Sequence, residues 1–222
     1  MHLMKICAAA LLVCCLGGCA TESSRVVPTE KVKAYDRPYS GTRTSISVGK
    51  FDNKSSYMNG VFSNGDNRLG SQAKTILLRC LQQSGRFTVL DRENMSEIRQ
   101  EAGLARTRQE IRGARYVITG DVTAFGRKNI GDRQLFGILG RGKEQIAYAK
   151  VDLNVVRVSD SAVVYSAQGA GEYALSHREI IGFGGTAGYD ATLNGKVLDL
   201  AIREAVDNLV QGIDNGAWTP AE

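Results

Sequence analysis

The chain has 222 residues, 23% of them charged, and a formal net charge of +5. Its lysines and arginines are interspersed with acids, which argues against the basic patch of a nucleic-acid binder. Two histidines and five cysteines leave no metal-ligand spacing and no second histidine for a Ser-His-Asp site in the mature chain. The expectation is no enzyme, no cofactor, no metal and no nucleic acid.

The chain begins MHLMKICAAALLVCCLGGCAT. Lys5 precedes an apolar run from Ala8 to Leu16 that is too short to span a membrane. Leu16-Gly17-Gly18-Cys19 follows, the leucine, small, small, cysteine pattern of a bacterial lipobox. It predicts a signal peptide over 1–18 and a diacylglycerol on the Cys19 thiol. Ala20 stands where an aspartate would retain the protein in the inner membrane, so the expected address is the outer membrane. Cys7, Cys14 and Cys15 leave with the signal. Cys80 remains, in an apolar helical pattern, as a buried small hydrophobe. Residues 19–43 read as anchor and tether, polar and interrupted by Pro28 and Pro38. The folded domain is expected over 44–218, with a tail at 219–222.

Ser45 to Phe51 alternates as a strand. A loop rich in Asn, Ser and Gly runs from Asp52 to Asp66. Leu69 to Ser84 spaces Ala73, Ile76, Leu77, Cys80 and Leu81 as a helix, and Gly85 caps it. Phe87 to Leu90 is a strand. Asn94 is expected to cap a short helix through Glu101, and Arg106 to Gly113 to form another. Tyr116 to Phe125 is a strand that runs on toward a tip at Leu135–Gly140. Gln145 to Val158 returns, and Asp160-Ser161 turns the chain. This gives a first excursion over about 126–149.

The next stretch reads AQGAGEYALSHREIIGFGGTAGYD, from Ala167 to Asp190. Ala167, Gly169, Gly171, Tyr173 and Leu175 fall on one face of an extended chain. Ile181, Phe183, Gly185, Ala187 and Tyr189 repeat the pattern after the charged knot His177-Arg178-Glu179. Two alternating runs around a polar tip predict a second hairpin, over about 166–190. An apolar or bare face against a polar or small one, ending in tyrosine, is the pattern of a membrane strand. GFGGTAG lacks the third glycine and the lysine of a phosphate loop. A long helix follows from Asn194 to Gly212, with Glu204 and Asp207 away from the centre of its apolar stripe, and Trp218 packs as a terminal anchor. The fold class is therefore α/β (α+β), a mixed sheet with flanking helices, plus two transmembrane β-hairpins. Four strands are too few to close a barrel, and open edges are not tolerated in lipid. The hairpins would have to be pooled in an oligomeric β-barrel.

FDNKS after the first strand, SGRFTVLDREN, GARYVITGDVTAF, the tip LFGILG, VDLNVVRVSDSAVVYS and GYDATLNGKVLDLAIREAVDNLVQGIDNGAW resemble the CsgG/HfaB family, from about Ser45 to Trp218. The resemblance implies an outer-membrane lipoprotein with its globular domain in the periplasm. It implies a homo-oligomeric ring that secretes unfolded curli-like or related fibre and adhesin subunits, with accessory proteins in the periplasm or at the surface. The family's pore-narrowing loop matches Tyr57, Asn59, Phe62 and Asn64, although the spacing departs by a residue or more. The lipid-facing candidates are Phe136, Ile138, Ile146, Tyr148, Tyr173, Leu175, Ile181 and Phe183. A different class remains open, a periplasmic lipoprotein that binds and regulates an envelope enzyme without forming a pore.

Overall fold

The structure, a computed structural model, describes residues 29–57, 67–133, 141–179 and 192–220. Strand β1 (Thr44–Asn53) leads to helix α1 (Arg68–Gln83), strand β2 (Phe87–Leu90) and helix α2 (Met95–Leu104). Three long strands follow, β3 (Tyr116–Arg133), β4 (Arg141–Arg157) and β5 (Val163–Glu179), and then helix α3 (Thr192–Asp214). They make one five-stranded sheet in the order β2-β1-β3-β4-β5. β1 pairs parallel with β2 and β3, while β3–β4 and β4–β5 are antiparallel. The expected mixed sheet with flanking helices is what forms.

Helices α1 and α3 supply the other half of the core. Leu69, Ala73, Leu77, Cys80 and Leu81 of α1 are buried with Val197, Leu198, Ala201, Ile202, Ala205, Val206, Leu209 and Val210 of α3. They join the inward residues of the sheet, among them Ile46, Ile118, Val122, Val151, Leu153 and Val155. Alternation sends Thr119, Asp121, Asp152, Asn154 and Gln168 to the opposite face. There Gln168 donates to Asp152 (2.6 Å) and Ser166 to Asn154 (2.6 Å). Trp218 closes the end of the core, stacked on Phe87 and Tyr165 and edge-on to Tyr116.

Several expectations need correction. Residues 31–39, read as part of the tether, pack on the domain. Val32 and Ala34 are buried, and the Lys33 N–H donates to Asp207 at 2.9 Å. Asp207 is therefore buried under this strap rather than set aside from the stripe. Arg106–Gly113 forms no helix. Arg106 takes a positive φ of 50°, and the segment has no apolar face to dock. Helix α2 follows Asn94 as expected, but the asparagine makes no side-chain cap. Its side chain instead donates to the Asp91 carboxylate (2.6 Å), which also accepts the Glu93 and Asn94 N–H groups, and these bonds hold that carboxyl below the usual carboxylate range. Finally, His177-Arg178-Glu179 is not a hairpin tip. β5 runs straight through it, paired with β4 to Arg141↔Glu179. The tight turn lies at the other end, where Ser161 has φ 59° and the Asp160 carboxylate accepts the Ala162 N–H.

Candidate functional site at the distal end of the sheet

The three long strands outrun the helical layer. α3 meets β5 near Gly171 and Tyr173, where Lys196 lies 4.9 Å from the Tyr173 ring centroid. β5 continues to Glu179, β4 begins at Arg141 and β3 ends at Arg133, all still paired. At about 3.3 Å per residue, the six residues after Tyr173 add about 20 Å of strand. The sequence of this extension is charged: Lys128, Asp132 and Arg133, then Arg141, Lys143 and Glu144, then His177, Arg178 and Glu179.

A polar cluster sits at the root of the extension. Tyr57 is half-buried, with its ring 4.7 Å from that of Phe125 on β3. Its carbonyl accepts from the Asn53 side chain (2.7 Å), and Asn53 Oδ1 accepts from the Ser55 hydroxyl (2.6 Å). Asn194, in the first turn of α3, donates through Nδ2 to the Tyr57 hydroxyl at 3.2 Å. Arg127 donates through Nε (3.1 Å) and Nη2 (2.7 Å) to Asn194 Oδ1. The end of β1, the middle of β3 and the start of α3 thus meet in one network.

Of the expected site residues, Cys19, Asn59, Phe62, Asn64, Phe136, Ile138, Ile181 and Phe183 lie outside the described residues. Leu175 has only its backbone register described, opposite Gln145. Tyr57, Ile146, Tyr148 and Tyr173 are placed. Tyr57 is tied into the cluster rather than projecting free. Ile146 and Tyr148 stand on the sheet face away from the helices, and Tyr148 is 40% exposed with its ring over Gly126. Tyr173 stands on the helical face, where its hydroxyl accepts from Lys196 (3.5 Å). One lipid-facing surface cannot hold all three, because Ala147, not Tyr148, is the partner of Tyr173. Arg127, Asn194 and Asn53 escaped the sequence reading. Asn194 bonds partners 67 and 137 positions away, a pairing that no local periodicity carries.

Among the described residues, no group of three His, Cys, Asp or Glu could hold a metal, and no helix is long and apolar enough to cross a membrane. Cys80 is buried, and burial pushes its thiol up to about 11.

A one-sided mixed α+β sheet with overlong antiparallel strands is the class of domain defined so far. The chain belongs to the CsgG family: the family model for the curli production assembly/transport component CsgG matches residues 30–221. A "Putative lipoprotein" of Neisseria meningitidis serogroup B is 67% identical over 205 residues, covering 92% of each chain. Among solved structures, the PelC dodecamer from Paraburkholderia phytofirmans is 16% identical with a TM-score of 0.37, over 77% of this chain and 92% of that one. Lipoprotein GNA1162 from Neisseria meningitidis is 14% identical with a TM-score of 0.37, over 78% of this chain and 99% of that one.

Proposed function

We propose that the chain is an outer-membrane lipoprotein whose protomers form a ring and pool their long strands into a secretion channel for curli-like or related fibre and adhesin subunits, without catalysis. The signal peptide is 1–18, Cys19 carries the lipid, and the globular domain faces the periplasm. The observation that carries this reading is the run of β3, β4 and β5 past the helical layer. Strands of 17 and 18 residues exceed the ordinary strand of about 5–6 several-fold, and a domain of this size needs no such length for its core. About 9–11 tilted residues cross a bilayer, and three strands with free edges require neighbours to do so. Membership of the CsgG family supports export as the task. In this reading Asn59, Phe62 and Asn64, with Tyr57 at the base of their loop, narrow the pore.

A second reading is a periplasmic lipoprotein that docks on and regulates an envelope enzyme. The burial of the bare face of β5 by α3 favours it, since Gly169 and Gly171 then serve a helix rather than lipid. Electron microscopy and planar-bilayer recordings of the lipidated protein extracted in detergent separate the two. Rings that conduct support the channel. Single small particles without conductance overturn it and leave the binding module.

A further inference from the structure

We propose that Asn194 is a positioning residue for Tyr57, oriented in turn by Arg127. The assignment follows from donor chemistry. A guanidinium has only donors, so the two Arg127 bonds at 3.1 and 2.7 Å require the amide oxygen of Asn194 on that side. The amide nitrogen is thereby turned toward Tyr57, whose hydroxyl oxygen accepts at 3.2 Å. A flipped amide would set its N–H groups against those of Arg127. Phe125 holds the other side of the tyrosine ring at 4.7 Å, and Asn53 holds its carbonyl at 2.7 Å. The ring and backbone of Tyr57 are thus fixed from α3, β3 and β1 at once. Arg127 stands where β3 leaves the helical layer, so the cluster links the root of the strand extension to the residue from which the loop after β1 departs.

The pairing of Asn194 with Tyr57 stands by itself. Its consequence for pore width rests on the proposed channel. Asn194→Asp keeps the acceptor for Arg127 and lets the Tyr57 hydroxyl donate instead, so it preserves the link. Asn194→Ala removes it.

The test uses full-length lipidated protein. Urea unfolding midpoints are measured for Asn194→Ala, Tyr57→Phe and the double variant. The expected result is non-additivity, the double variant falling little further than Asn194→Ala alone, with Asn194→Asp close to wild type. Additive losses, or equal losses for the Ala and Asp variants, overturn the proposal. In planar bilayers, Asn194→Ala is expected to shift single-channel conductance in the direction of Tyr57→Ala at unchanged ring mass, and Asn194→Asp to restore it. Unshifted conductance in intact rings overturns the positioning role. A wild-type protein that forms no channel while the unfolding cycle remains non-additive sinks the channel and leaves the positioning supported.

Discussion

Gly169 of β5 faces the backbone of Ala205 in α3. A β-carbon at 169 would overlap Ala205 N and Ala201 O, and one at 171 would meet Leu200 Cβ at 2.6 Å. These are main-chain or short side-chain atoms that cannot swing away. We therefore expect Gly169→Val to lose about 3 kcal/mol, the upper part of the overpacking range. Ala170→Val, on the opposite, exposed face, should stay within about 0.5 kcal/mol of wild type. Urea unfolding of the two variants checks the contrast, and equal losses would contradict the helix seat.

That pair also shows what could be read from residues alone. The alternation of Ala167, Gly169, Gly171 and Tyr173 was plain, and so were the extended strand and its bare face. What covers the face was not, because a glycine row is equally compatible with lipid and with a close helix. The apolar stripe of α3 was equally plain, yet Asp207 breaks it. Its carboxylate is buried because Lys33 of the strap, 174 positions earlier, supplies an N–H. The paired end of β5 at Glu179 was hidden for a similar reason. His177-Arg178-Glu179 looks like a turn by composition, and only its register with β4 makes it strand. Local signals gave the elements; the long-range pairings that build the Tyr57 cluster have no local signal.

Arg86 is buried to 5% side-chain exposure and is held by Asp214, with Nη2 3.3 Å from its carboxylate oxygens. It also donates to the Arg37 carbonyl, and its guanidinium lies 4.6 Å from the Tyr39 ring centroid. Asp214→Ala leaves a buried cation short of its counter-ion and is expected to cost about 3 kcal/mol. An Arg86→Met, Asp214→Leu double variant should cost less than the sum of the two single changes. Additivity in the unfolding cycle would show that the pair does not act as a unit.

Cys80 is fully buried, so it should resist a thiol reagent at pH 8 in the folded protein and react on unfolding. Burial raises its pKa to about 11 in the folded protein, above the 9.0 of a free thiol. The buried neutral thiol contributes fully below pH 9, and that contribution is lost as pH rises toward 11, because only the unfolded chain ionises early. The loss is about 2–3 kcal/mol at most. Cys80→Ala should lack this part of the alkaline fall. Identical pH profiles for variant and wild type would refute it.

Cys19→Ser is expected to leave an unlipidated precursor that fails to reach the outer membrane. Labelling with a radioactive fatty acid and membrane fractionation read this directly. A variant that is still labelled, or still fractionates normally, would sink the lipobox assignment.

Tyr148 and Tyr173 decide which sheet face meets lipid in the proposed channel. They stand on adjacent strands but on opposite faces. Tyr148 is exposed, with its ring over Gly126, while Tyr173 is under Lys196 of α3. If lipid lies against the open face, Tyr148→Arg places a cation in hydrocarbon. Such changes cost about 2–4 kcal/mol near the bilayer midplane and less toward its edges. Membrane insertion of that variant should fall, while the fold of the detergent-solubilised domain stays intact. Tyr173→Arg should do the reverse: it sets two cations together at the start of α3, lowers the unfolding midpoint, and leaves insertion of the folded fraction unchanged. Insertion is read by resistance of reconstituted protein to carbonate extraction, and folding by circular dichroism in detergent. Blocked insertion by Tyr173→Arg with a normal melting curve would assign lipid to the helical face and require α3 to leave its seat on Gly169 and Gly171.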